Sequence, residues 1–155
     1  MDGILLLNKP ILWTSHDLVD AVRRRLKMKR VGHAGTLDPM ATGLMILLLG
    51  KDTKRSSEFM GMDKSYRGSF RLGVRTDTWD LDGRILGEEP FDQVSEKCLE
   101  EAFAGFLGEQ EMTPPEYSAA RQNGRKAYEL ARSGEVVTLK PRTITIQEFK
   151  LEAFD

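Results

Sequence analysis

Two side chains able to take part in chemistry, His33 and Asp38, fall within one stretch, residues 31–47, that reads V-G-H-A-G-T-L-D-P-M-A-T-G-L-M-I-L. Its first half cannot be regular structure, because Gly32, Gly35, Pro39 and Gly43 interrupt it. Its second half, residues 44–49, is a continuous apolar run between Gly43 and Gly50, the pattern of a fully buried strand. The sequence therefore predicts one carboxylate and one imidazole on a tight loop that feeds a central strand. Polar groups held by a loop on a rigid scaffold are a common way for proteins to display chemistry. Asp before Pro is also an ordinary turn opener, and spacing alone leaves both readings open.

Several other chemistries are excluded by the residues themselves. The chain has a single cysteine, Cys98, so it holds no internal disulfide and no cysteine-based metal cluster, which fits a reducing cytosol. With apolar neighbours at helical spacing, Cys98 is expected in the core. His16 and His33 are far apart in sequence and lack cysteine partners, so no metal site is expected. Gly50-Lys51-Asp52-Thr53 has the ending of a phosphate-binding loop, but the residues back to Gly43 form an apolar strand rather than an open cradle. Counting from Thr78, acids fall on several calcium-loop positions, yet the first ligand is Thr and a strand precedes it where a helix belongs. The longest apolar run is far too short to span a membrane. Net charge is −1, but its distribution is uneven. Arg23, Arg24, Arg25, Lys27, Lys29 and Arg30 form a basic block, whereas acids gather over 77–111. Six cations in eight residues exceed what a helix end requires, and phosphates are their natural second use.

The elements that must position His33 and Asp38 are legible as patterns. Residues 3–7 read as a short strand ended by Asn8-Lys9-Pro10, and Ser15 as the cap of a helix running to about residue 27. Leu18, Val19, Val22 and Leu26 give that helix one apolar stripe. A short helix follows over 53–60. Residues 64–75 alternate, with Tyr66, Phe70, Leu72 and Val74 on one side and Arg67, Arg71 and Arg75 on the other, which predicts a half-buried strand. On that pattern Tyr66 is a core tyrosine. Further on, the sequence predicts a helix over 95–107, a loop over 113–119, and a helix over 126–133 ended by Gly134. Strands follow over 136–139 and 143–154, the second with a bulge near Gln147 and Glu148.

Residues 32–43, G-H-A-G-T-L-D-P-M-A-T-G, resemble the catalytic loop of the TruB family of tRNA pseudouridine synthases. Lys64-Ser65-Tyr66 resembles that family's K-x-Y motif, and R-T-D-T-W-D-L-D-G at 75–83 its R-T-D-T-x-D-x-D-G stretch. Residues 114–134, P-P-E-Y-S-A-A-R-Q-N-G-R-K-A-Y-E-L-A-R-S-G, resemble its insertion that grips RNA. The resemblance implies an α+β fold, a mixed, mainly antiparallel sheet flanked by helices. It further implies Asp38 as catalytic nucleophile and Tyr66 as the ring against the target base. His33 would take the space that the base vacates, Lys64 would belong to the substrate-binding set, and Asp80 would support the histidine. Arg121, Arg125 and Lys126 would meet phosphates. Neither cofactor nor metal is implied.

The resemblance extends over all 155 residues. The family pattern continues into a strand with a Y-I-R motif whose arginine pairs with the catalytic aspartate, and that motif has no counterpart here. The expectation is therefore a single, partial catalytic domain over 1–155, incomplete at the C-terminus, with the RNA-gripping insertion at about 108–140. That expectation includes no C-terminal RNA-binding domain within these residues, with another chain as a source of the missing elements. The function implied is cytoplasmic isomerisation of a uridine in the T-arm stem-loop of tRNA, with base flipping, and with no membrane or obligatory protein partner. The alternative is a fragment that binds or refolds tRNA without chemistry.

Overall fold

The computed structural model describes residues 1–118 and 120–154. Ala119, at the end of the expected 113–119 loop, and Asp155 lie outside the described residues. Two compact units divide the chain, Met1–Arg67 and Gly68–Asp155.

The first unit is built on three antiparallel strands, β1 (Gly3–Lys9), β2 (Val31–His33) and β3 (Gly43–Leu49), in the order β1-β3-β2. The apolar run thus becomes the central strand, paired on both edges, with Lys9 opposite Gly43 and His33 opposite Leu47. Helix α1 (Ser15–Leu26) covers one face. Its stripe Leu18, Val19 and Val22 packs with Val31, Met45, Leu47 and Leu49, and Leu26 borders this core. The other face carries Ile4, Leu6 and Leu44, all exposed, so the expectation of a fully buried 44–49 run fails at Leu44, which is 64% exposed. Alternation along a strand sends Leu44 to the face opposite α1, which is open at Leu44 although closed at Leu48.

The cap of α1 is Thr14, not Ser15. The Thr14 hydroxyl accepts from the Asp17 amide at 3.1 Å, and the Asp17 carboxylate accepts from the Thr14 amide at 2.8 Å. This reciprocal box requires an acid three residues after the cap, a spacing that Thr14 meets. It holds the Asp17 carboxyl below its usual range, chiefly through the Thr14 hydroxyl. Lys27, at φ 51°, turns the chain out of the helix. After β3 come a 3-10 turn (Gly50–Arg55) and α2 (Ser56–Met60).

The second unit contains β4 (Val74–Thr76), β5 (Ile85–Glu88), α3 (Glu96–Ala104), β6 (Gly108–Met112), β7 (Arg121–Gln122), β8 (Arg125–Lys126), α4 (Ala127–Arg132) and β9 (Arg142–Ile146). Its strands pair as β4-β5, β6-β9 and β7-β8, all antiparallel. Helices and antiparallel strands together make the α+β class expected.

Four sequence expectations are corrected in or beside this unit. The strand over 64–75 shrinks to Val74–Thr76, because only β5 offers it a partner, and Tyr66 is 76% exposed rather than in the core. Residues 136–139 form no strand: the Gln122 side chain takes their hydrogen bonds, its oxygen from the Thr138 amide at 2.6 Å and its nitrogen to the Val136 carbonyl at 3.4 Å. The strand over 143–154 ends at Ile146, opposite Gly108, where β6 begins, and Phe149 stacks on Phe103 at 4.0 Å instead. Finally, α3 stops at Ala104, and Cys98 is exposed beside the capping Ser95 while Leu99 and Phe103 face inward.

Candidate active site

Residues 34–42 connect β2 to β3, and several backbone groups of this loop are tied down. The Ala34 amide extends the ladder to the Ile46 carbonyl at 2.9 Å. The Ala41 amide closes a turn onto the Asp38 carbonyl at 3.0 Å. Gly35 at φ 111° and Gly43 at φ 134° occupy backbone conformations that side chains with a Cβ avoid. His33 Nδ1 lies 2.5 Å from the Gly35 carbonyl. A carbonyl can only accept, so Nδ1 carries the hydrogen and Nε2 is the ring atom left for another partner.

Two residues from outside the loop complete it, and sequence reasoning missed both. Ser15, read as a helix cap, is buried, and its hydroxyl both accepts from the Leu37 amide at 3.0 Å and donates to the Leu37 carbonyl at 3.2 Å. Lys9 is fully buried. Its ammonium donates to the carbonyls of Trp13 at 2.6 Å, Pro10 at 3.1 Å and Pro39 at 3.2 Å. The Leu12 amide adds a bond to the Pro39 carbonyl at 2.8 Å. The turn at 10–13 and the turn at 38–41 are therefore joined through one buried cation. The signal in the sequence was a lysine at the end of an apolar strand, where burial demands several oxygen partners.

The outcome is an exposed Asp38 carboxylate on a fixed backbone, with no side-chain hydrogen bond or ion pair among the described residues. Such a group is available as nucleophile or base, and a rigid support keeps its position before substrate arrives. His33, expected on this loop, is instead the last residue of β2 and pairs with Leu47, so the expectation of no regular structure in the first half of the stretch fails over 31–33, where β3 supplies a ladder partner. Lys64 and Tyr66 belong to the same unit but follow α2, where the Lys64 ammonium donates to the carbonyls of Met60 at 2.7 Å and Met62 at 2.5 Å. Lys64 thus closes a helix end, and the ring of Tyr66 stands in solvent two residues later.

The remaining expected residues belong to the second unit. Asp80 lies in the β4-β5 turn, where its carboxylate accepts from the Thr78 hydroxyl at 2.5 Å and the Asp82 amide at 3.0 Å. Arg121, Arg125 and Lys126 share the β7-β8 hairpin. Arg121 donates to the Gly124 carbonyl at 2.8 Å. Arg125 is paired with Glu135 at 2.9 Å, and the Ser133 hydroxyl, then Arg125, hold the Glu135 carboxyl below its usual range. Lys126 donates to the Tyr128 hydroxyl at 3.1 Å, with Arg132 over the same ring at 5.6 Å. Within the basic block, Arg23 is engaged by Asp20 and the Val31 carbonyl, and Arg30 by Thr53. Arg24, Arg25, Lys27 and Lys29 are exposed and make no side-chain contact of these kinds among the described residues. No group of three or more His, Cys, Asp or Glu side chains able to hold a metal ion occurs among the described residues. No described helix is long and apolar enough to cross a membrane.

This chain is similar to known proteins in fold and in sequence. A chain in the crystal structure of a Cbf5-Nop10-Gar1 complex has the same fold, with a TM-score of 0.53 and 22% identity, covering 92% of this chain and 33% of that one. At the level of sequence, residues 23–155 match the family model described as TruB family pseudouridylate synthase (N terminal domain). The chain belongs to the TruB family. The protein called tRNA pseudouridine synthase B from Opitutus terrae is 49% identical over 154 residues, covering 99% of this chain and 64% of its own length. Those of the same name from Endomicrobium trichonymphae and Aquifex aeolicus are 43% and 45% identical, matched over 67% and 52% of their lengths. The chain thus spans about half to two thirds of the length of these curated relatives.

Proposed function

We propose that this chain carries the reacting aspartate and part of the RNA grip of a cytoplasmic tRNA pseudouridine synthase, and that its substrate is a uridine in the T-arm stem-loop. The observation that supports this reading best is the exposed Asp38 carboxylate on a loop fixed by Lys9 and Ser15. A uridine stacked in an RNA loop must leave its stack before any side chain reaches its reacting atoms. Tyr66, already in solvent, stacks on the extruded uracil, and His33 takes the vacated space. Asp38 attacks the ribose C1′ or the uracil C6. The glycosidic N1–C1′ bond breaks, the uracil turns, C5 bonds to C1′, the C5 proton leaves and N1 gains one. Atoms and electrons balance with the carboxylate regenerated, so no cofactor enters. Arg24, Arg25, Lys27 and Lys29, with the cations of the β7-β8 hairpin, supply phosphate contacts.

A second reading is favoured by one specific observation: no cation pairs with Asp38 among the described residues. On that reading the chain binds the T-arm without turning it over. Incubating the 155-residue chain with a T-arm stem-loop and measuring both binding and pseudouridine separates the two. Product that depends on Asp38 supports the enzyme. Salt-sensitive binding without product supports the binding module. Salt-insensitive or absent binding refutes both.

A further inference from the structure

Two peptide planes flank every residue, and at Asp38 both are held. The plane before it is fixed by Ser15, whose hydroxyl accepts from the Leu37 amide at 3.0 Å and donates to the Leu37 carbonyl at 3.2 Å. One oxygen thus holds both backbone groups of Leu37, and that carbonyl belongs to the peptide that carries the Asp38 nitrogen. A hydroxyl has a single hydrogen to give, and the competing acceptor, the Met45 sulfur, lies farther off at 3.8 Å. The plane after Asp38 is fixed by the turn from its own carbonyl to the Ala41 amide at 3.0 Å. Ser15 is buried, and the Leu37 side chain packs against the core of the first unit, so little water reaches this clamp. Lys9, by contrast, meets the loop only beyond Asp38, at the Pro39 carbonyl. With both planes held, the Asp38 carboxylate moves chiefly by its own side-chain torsions.

We propose that Ser15 is a positioning residue for the reaction, aiming the Asp38 carboxylate through the backbone of Leu37 without itself meeting RNA. This inference rests on the functional reading above. A buried hydroxyl whose polar contacts are internal acts on the substrate only through the groups it holds. Misplacing a reacting group by about 1 Å can cost about a hundredfold in rate, whereas affinity for RNA is dominated by phosphate contacts made elsewhere. Loss of the hydroxyl should therefore separate turnover from binding.

Ser15→Ala is compared with Thr14→Ala, which loses the cap of the same helix and leaves the partner of Leu37 in place. Single-turnover formation of pseudouridine in a T-arm stem-loop is measured with the 155-residue chain at a temperature where circular dichroism shows each variant folded. Ser15→Ala should react about tenfold to a hundredfold more slowly than wild type while its affinity stays within about twofold. Thr14→Ala, although less stable, should react and bind as wild type does. In the wild-type chain, which needs no variant to fold, the Leu37 amide should exchange with solvent at least about tenfold more slowly than that of the exposed Thr36 beside it. Ser15→Ala reacting at the wild-type rate, Thr14→Ala slowed as much as Ser15→Ala, or a Leu37 amide exchanging as fast as that of Thr36 overturns the positioning role and leaves the functional reading standing. A wild-type chain that makes no pseudouridine overturns the enzyme reading, and the positioning role with it.

Discussion

Replacing Lys9 with methionine tests how the candidate active loop is held. Methionine fills nearly the same volume but donates nothing. Of the three carbonyls that the ammonium serves, Pro39 keeps the Leu12 amide as a donor, whereas Pro10 and Trp13 keep none among the described residues. Each carbonyl left dry costs roughly 1–3 kcal/mol, partly offset because an ammonium no longer has to be buried. The net loss is about 3 kcal/mol, which for a chain of this size lowers the melting temperature by about 10 °C. Thermal unfolding followed by circular dichroism measures this, and amide exchange at Leu12 and Ala41 should accelerate because their acceptors lie on the released turn. A variant that melts as wild type does, with both amides still protected, would show that the ammonium merely occupies space.

Ser15→Ala removes both bonds to Leu37 and should destabilise the first unit by roughly 1–3 kcal/mol, read by urea unfolding at constant m-value. Thr14→Ala loses the cap of α1 and should cost about 1 kcal/mol in the same assay. The carboxyl of Asp17 titrates below its usual range, so its contribution to the box is complete above about pH 4 and is lost as the pH falls through the lowered value. Asp17→Asn should therefore be less stable than wild type at neutral pH, and the difference should shrink in acid. Arg24→Ala with Arg25→Ala should weaken T-arm binding and flatten its log–log salt dependence by roughly 1 per charge removed, with no change in melting.

The parts of the fold visible in the sequence were those governed by local pattern. The α1 stripe, the central strand and the glycine-punctuated loop all follow from periodicity within one element. What escaped depends on partners distant in sequence. Alternation over 64–75 is a strand pattern, but a ladder needs a neighbour, and only Val74–Thr76 has one. Gln122, fourteen and sixteen residues from its partners, displaces a strand at 136–139. In the site, the loop carrying Asp38 was legible, whereas the strand pairing of His33 and its ring orientation were not, because they depend on β3 and on where the Gly35 carbonyl points. Lys9 reaches Pro39 across thirty residues of sequence, and no local rule assigns it there. The engagement of Arg125 by Glu135 was likewise hidden, since it depends on how the chain returns after α4.

The central claim is that Asp38 is the reacting group. Its most direct test is to assay pseudouridine in a T-arm stem-loop after incubation with the wild-type chain and with Asp38→Asn, measuring RNA affinity for both. The account predicts product from the wild type, none from Asp38→Asn, and affinities that differ little. Product formed by Asp38→Asn at a rate near wild type would contradict it, since an amide cannot supply the nucleophile.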